Sequence, residues 1–351
     1  MDPIFTKYAK AGSTFMECGA YGCGAFPAVP CGNINDGDND VEVSKLFKKP
    51  ESFTHELEQY KLFEALDPDG LCTVRLTKWC DVPIAQLLPD RVLAKGPFAD
   101  FQIKYEFGGK TLVAMFLEGD PVDFGAVEDI LMVQFPKIIR FLMVMRDNAL
   151  AHNDLHPFNI VYSPSKGLRF IDFGMAVSGP DADVSRSSKD KTWFGDCILG
   201  VLDEVDNSAA PSGEWVVRLD NARAFLRYMY DSMELEEVLA MWEVAMHDTE
   251  HTFIHRFVKP ALLHLAESKQ TFRDDPDAFA KASELATDST ITLNEFQTFL
   301  KQCFLDMVWR VNPGIAQKMA LYYKPDGKTL MSFVLNPMET FPTFAGRFGK
   351  L

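Results

Sequence analysis

A chain of 351 residues with 47% hydrophobic and 24% charged side chains can bury a sizeable core, and its composition excludes global disorder. The formal net charge of −15 excludes a general nucleic-acid-coating role, because phosphate backbones attract basic surfaces; an acidic chain instead favours a basic protein as partner. No apolar run is long enough to predict a membrane span, and the opening MDPIFTKYAKAGSTF lacks the basic-then-apolar order of a secretory signal.

Residues 13–47 read as strand, glycine-rich turn, strand, polar loop and strand, the last being VEVSKLF. ESFTHELEQYKLFEAL follows as a helix with Phe53, Leu57, Tyr60, Phe63 and Leu66 near helical spacing. DFQIKYEFGGKTLVAMFLEGD reads as two strands joined by a Gly108-Gly109 hairpin. AVEDILMVQFPKIIRFLMVMRDNAL predicts a long apolar helix, or a pair, interrupted at Pro136. After a polar segment at 177–192 the remainder reads as helices.

Seven cysteines occur, Cys18, Cys23, Cys31, Cys72, Cys80, Cys197 and Cys303, with no C-x-x-C pair. The odd count predicts reduced thiols in a cytosol-like, cytoplasmic compartment. Zinc on Cys18, Cys23 and Cys31 would lack a fourth ligand at a usable spacing. ELATDSTITLNEF imitates the end of a calcium loop, but Glu284, Ala286 and Ser289 stand where early ligands and the turn glycine are needed. A helix cap from Thr292 with Glu295 is expected there.

The chemistry concentrates in AHNDLHPFNIVYSPSKGLRFIDFGMA, residues 151–176. Asp154, Asn159 and Asp172 set a carboxylate, a carboxamide and a second carboxylate among buried-type strands. Phosphoryl transfer from ATP needs such metal ligands, a base near the attacking hydroxyl and a cation on the phosphates. The spacing resembles the protein-kinase superfamily pattern H-R-D-L-x-x-x-N followed by D-F-G. The chain is similar to an atypical eukaryotic-like member, of the flavour of Ser/Thr kinases of large DNA viruses.

That resemblance implies ATP and Mg²⁺ as cofactors. Asp154 would orient or deprotonate the acceptor hydroxyl, while Asn159 and Asp172 would hold the metal. Lys45 would contact the phosphates and pair with Glu56, preferred over Glu58 by the match of ELEQYKLF to the family's helix. Gly19, Ala20, Tyr21 and Gly22 would form the phosphate-covering loop, although Glu17 replaces its first glycine and Gly24 the valine that covers adenine. Ala114 would guard the back of the adenine pocket, with backbone groups from Met115 through Leu117 to Glu118 facing the base. His156, where lysine is usual, would contact the transferring phosphate or hold the loop. Asp196 would brace the catalytic loop. Asn153 replaces the arginine that clamps a phosphorylated loop, which implies little dependence on phosphorylation at Ser185, Ser187, Ser188 or Thr192.

The expected fold is α+β and bilobal, with a β-rich lobe at 1–118 and a helical lobe at 119–351. Transfer to protein Ser or Thr hydroxyls leads. D-x-H-x-x-N also resembles aminoglycoside and choline phosphotransferases, which keeps a small-molecule acceptor open. The altered glycine loop keeps an inactive scaffold open.

Overall fold

The computed structural model describes residues 15–18, 22–29, 31, 42–81, 98–116, 123–182, 184–261, 263, 276–292, 295, 296 and 299. The protein has mixed α+β structure in two compact units, residues 1–204 and 205–351. The sequence placed a lobe boundary at 118; elements on both sides of that position share the first unit.

The first unit opens with an antiparallel sheet of β1 (Phe15–Cys18), β2 (Gly22–Phe26), β3 (Glu42–Phe47), β4 (Leu76–Asp81) and β5 (Phe101–Glu106). Their spatial order is β1-β2-β3-β5-β4, so the last two strands in sequence exchange places and β3 lies centrally. Lys45 stands opposite Gly24 on one side and Ile103 on the other. Helix α1 (Pro50–Leu66) starts on Pro50, whose missing N–H costs nothing in a first turn. Its buried stripe is Phe53, Glu56, Tyr60 and Phe63, a glutamate set in an otherwise aromatic face. Phe53 and Phe47 pack with Ile103 in the core beneath the sheet.

Gly108-Gly109 does not turn a hairpin. The chain leaves β5 and crosses to a second sheet, where β6 (Lys110–Thr111) pairs with β8 (Ile160–Ser163). The crossing is tight: Gly109 has φ of 112°, and a Cβ there would lie 2.0 Å from the Tyr162 carbonyl oxygen. The expected strand TLVAMF is likewise corrected, because residues Leu112–Phe116 form helix α2. Thr111 Oγ1 accepts the Ala114 N–H (3.2 Å) at its start. A short apolar run does not by itself separate strand from helix.

The long apolar stretch is one helical run in three parts: α3 (Phe124–Asp129), a π-turn (Ile130–Gln134) and α4 (Phe135–Asp147). Pro136 lies in the first turn of α4, and the π-turn just before it widens the ladder where a proline N–H is lacking. β7 (Leu150–Ala151) follows, then the hairpin of β8 and β9 (Gly167–Phe170), then β10 (Val177–Ser178) paired back onto β7. Helix α5 (Val184–Glu204) closes the unit.

Cys31 and Cys80 form a disulfide, and Cys23 is also disulfide-bonded; the free thiols Cys72 and Cys197 are buried. This corrects the expectation of reduced thiols. The sheet brings the Cys31 and Cys80 Cα atoms within 5.8 Å across 49 residues of chain, a proximity no local pattern reveals.

The second unit is helical where described. Helix α6 (Gly213–Tyr228) and α7 (Leu235–His247) enclose Phe225, Tyr230, Trp242 and Phe253. Asn221 is fully buried and donates to the Ala245 and Asp248 carbonyls, satisfying the end of α7. Further along, helix α8 spans Pro276–Thr287. Thr292 and Glu295 cap each other as expected, the Thr292 N–H donating to Glu295 Oε2 (2.8 Å) and the Glu295 N–H to Thr292 Oγ1 (3.3 Å). No helix among the described residues is long and apolar enough to cross a membrane.

Candidate functional site

Lys45, Glu56 and Asp172 come from β3, α1 and the segment after β9. Lys45 Nζ lies 2.5 Å from Glu56 Oε2 and 2.5 Å from Asp172 Oδ1. Of the two glutamates considered, Glu56 is the one that makes this pair. It sits on the buried stripe of α1, whereas Glu58 lies two residues out of phase with Glu56. One ammonium thus serves two carboxylates in unlike surroundings. Glu56 is 1% exposed and Asp172 42%. Burial pushes the Glu56 carboxyl up despite Lys45, while the adjacent ammonium holds the Asp172 carboxyl below its usual range against the cost of burial. Burial opposes the charge on Lys45, but the two carboxylates outweigh it and raise its pKa.

Asp172 has a left-handed backbone (φ 64°), and its side chain accepts the Gly174 N–H. Phe173 anchors this turn. It is fully buried, 4.7 Å from Phe63, 5.2 Å from His152 and 5.6 Å from Tyr60 between ring centroids. A Cβ at Gly174 would fall 3.1 Å from Asp172 Oδ1 and 3.3 Å from Glu56 Oε2, so any side chain there crowds the three-residue cluster.

The loop between β7 and β8 carries Asp154 and Asn159. Asn159 Nδ2 donates to Asp154 Oδ2 (3.1 Å) and to the Asp154 carbonyl (3.0 Å), fixing the carboxylate on its own loop. Among the described residues, the side-chain contacts of Asp154 all run through Oδ2, leaving Oδ1 without a partner. His156 Nε2 lies 3.5 Å from Asp154 Oδ2 and 3.1 Å from Asn159 Nδ2, and its Nδ1 faces the Phe158 N–H at 3.3 Å. Its contacts are thus to its own loop, which is the loop-holding geometry. Phe158 is 53% exposed beside it.

The brace under this loop is Asp190, not Asp196. Asp190 Oδ2 accepts the His152 N–H (2.6 Å) and Oδ1 the Asn153 N–H (2.7 Å). Asp190 faces inward from α5, while Asp196 lies on the exposed side of the same helix. Burial pushes the Asp190 carboxyl up to about 7 although two N–H groups favour its charge. His152 is fully buried against the Ile171 carbonyl (3.0 Å), and burial lowers its imidazole to about 4. Asn153 spans two elements: Nδ2 donates to the Met175 carbonyl (3.3 Å) and Oδ1 accepts from Lys189 Nζ (3.2 Å). The Lys189 ammonium lies 4.0 Å over the Trp193 ring.

The segment from Asp172 to α5 is short and tied down. Ala176 O contacts His55 Nε2 at 3.2 Å, Val177 and Ser178 pair with Ala151 and Leu150, and the Gly179 N–H donates to the Ala149 carbonyl (2.9 Å). The sequence placed Ser185, Ser187, Ser188 and Thr192 in this segment, but all four fall within α5, and the ties before it were not foreseen.

Ala114 and Met115 are not brought to the Lys45 strand. They lie on α2, whereas the strand beside β3 is β5, which ends at Glu106. Tyr105 of β5 donates its hydroxyl to Glu56 Oε1 (2.9 Å). Behind it, Arg169 (1% exposed) pairs with Glu106 and donates to the Gly108 carbonyl. Gly22 begins β2 opposite Phe47, and among the described residues nothing lies within 4 Å of a Cβ built on Gly24. Gly19, Ala20, Tyr21 and Leu117 lie outside the described residues.

Among the described residues, Asn159 Oδ1 and Asp172 Oδ2 have no partner, the contacts of these side chains running through Asn159 Nδ2 and Asp172 Oδ1. These are hard oxygen donors of the kind Mg²⁺ takes, with room left for water and phosphate oxygens. They fit that cation, although among the described residues no group of three His, Cys, Asp or Glu side chains forms a metal cage. No family model matches the chain, and no curated protein matches it.

Proposed function

We propose that this chain transfers the γ-phosphoryl group of ATP to a hydroxyl, with Ser or Thr of a protein as the leading acceptor. The observation that carries the reading is the Lys45 ammonium joined to both Glu56 and Asp172 from three separate elements, in the compact unit that also holds Asp154 and Asn159. The strand order, with Lys45 on a central strand and a following helix supplying its glutamate, supports the protein-kinase-like reading of the fold.

In this reading Lys45 has three N–H donors, two of them engaged by carboxylates, and turns the third toward phosphate oxygens. Glu56 keeps the ammonium from swinging away. Asn159 and Asp172 would hold Mg²⁺, which when bound neutralises charge on the phosphates. Asp154 offers its free Oδ1 to the acceptor hydroxyl, held at the right angle by Asn159 through Oδ2. Gly24, which in this reading stands where a covering valine is usual, has no atom of the described residues within 4 Å of a Cβ built on it.

A second reading, a small-molecule acceptor, is favoured by the short connection from Asp172 to α5. Two short helical turns and the two-residue β10 occupy it, leaving little chain for a peptide-docking surface. The test is transfer of labelled phosphate from Mg-ATP to a basic protein and to a small-molecule panel, with Asp154→Ala and Asp172→Asn as controls. Label on protein Ser or Thr, lost in both variants, supports the leading reading. Label on a small molecule alone supports the second. No transfer by folded protein overturns both and leaves a scaffold.

A further inference from the structure

We infer that Tyr105 is a positioning residue of this site: its hydroxyl holds the Glu56 carboxylate in the orientation that pairs with Lys45. The inference rests on the phosphotransfer reading and adds a residue that no motif supplies.

Glu56 is buried, so each carboxylate oxygen needs a donor from the protein. Oε2 faces Lys45 Nζ at 2.5 Å, and Oε1 accepts the Tyr105 hydroxyl at 2.9 Å. These two bonds fix the carboxylate plane between β3 and β5. The register explains how. Val43 lies opposite Tyr105 and Lys45 opposite Ile103, so the residues at 43, 45, 103 and 105 share one face of the sheet. Tyr105 therefore projects on the same side as Lys45, toward α1.

The ring is held independently of its hydroxyl. It packs edge-on to Tyr60 at 5.8 Å, and Tyr60 packs edge-on to Phe173 at 5.6 Å. The Tyr60 hydroxyl accepts the Leu76 N–H (2.6 Å), which ties this second ring to the strand that follows. Burial, and then the Glu56 charge, keep the Tyr105 hydroxyl well above its ordinary pKa, so it remains a donor. Phenylalanine at 105 would preserve the packing and leave Oε1 alone in a dry site. The carboxylate is then free to turn from Lys45, and the ammonium loses its anchor on the helix side.

The experiment measures Mg-ATP affinity by calorimetry, together with KM and kcat for transfer, in the wild-type chain, Tyr105→Phe, Glu56→Gln and the double variant. Thermal melting is recorded for each. The expected result is about tenfold weaker Mg-ATP binding and a similar rise in KM for Tyr105→Phe, with little change in melting temperature. In the Glu56→Gln background the same substitution is expected to add nothing, because its route runs through the carboxylate. Unchanged affinity and KM in Tyr105→Phe overturn the inference. So does an equal loss in both backgrounds, or a loss that appears only as a lower melting temperature. Wild-type protein that binds no Mg-ATP overturns the phosphotransfer reading itself, a result distinct from these.

Discussion

The Lys45 ammonium stands 2.5 Å from the carboxylate of Glu56, a side chain only 1% exposed to solvent. A buried ion pair adds little net stability, yet removing one partner leaves the other charge uncompensated. Lys45→Met is therefore expected to destabilise the first unit by about 3 kcal/mol and to abolish transfer. Adding Glu56→Gln to Lys45→Met is expected to recover part of the stability but none of the activity. Urea unfolding of the four proteins of this cycle checks the first statement, and the labelled-phosphate assay the second.

His152 and Asp190 give opposite pH signatures. The buried imidazole, lowered from 6.5 to about 4, leaves the unfolded chain binding the extra proton, so its share of stability falls as pH drops from 6.5 toward 4. Asp190, raised from 3.8 to about 7, binds its proton more readily when folded, so its share rises over that range. The wild-type chain should show a nearly flat contribution from this pair between pH 4 and 6.5. Asp190→Asn removes the compensating group and is expected to fall by about 3 kcal/mol across that window. Denaturant melts at several pH values in both proteins decide it; parallel curves would contradict the assignment.

Reduction of the Cys31–Cys80 bridge should matter. The bond closes 49 residues of chain, and loop-closure entropy gives an upper contribution of about 4 kcal/mol. Cys31→Ser with Cys80→Ser, or dithiothreitol, is expected to lower the melting temperature by several degrees. An unshifted melt would show that the reduced sheet holds its edge strand without the bridge.

Glu106 is expected to be as sensitive as any catalytic residue in a stability assay. It pairs with Arg169, which is 1% exposed, and with Lys166 at 2.5 Å. Burial raises its carboxyl, but the two cations outweigh this and hold its pKa below the ordinary value. Glu106→Ala strands a buried guanidinium and should cost about 3 kcal/mol by urea unfolding. Arg169→Met in the same background should recover part of it.

The sequence revealed what is local and hid what is tertiary. Asp154 and Asn159 lie five residues apart on one loop, and Asp172 follows a short hairpin, so chain spacing alone keeps them near one another. Glu56 was legible only through the likeness of ELEQYKLF to a known helix phrase; the apolar spacing drew the stripe through Leu57, and the buried face turned out to run through Glu56 with Phe53, Tyr60 and Phe63. Asp190 was missed in favour of Asp196 because both aspartates lie on α5, and their order in the chain does not tell the buried face from the exposed one. Helix α2 was taken for a strand since five apolar residues satisfy either period. Tyr105 gave no signal at all: a tyrosine in FQIKYE reads as ordinary strand packing until β3 is laid beside it.

The tethering of residues 174–179 sets an energy scale for motion. To swing this segment out, the chain must break its contacts to Asn153, His55, Ala151, Leu150 and Ala149 together. At about 1 kcal/mol net for each of these five contacts, the displaced form would hold roughly one molecule in five thousand. A modifier seeking to hold it open would need a binding preference of about that size before it gained any ground. On the phosphotransfer reading proposed above, turnover would then be set by how much of the protein is made rather than by release of this segment.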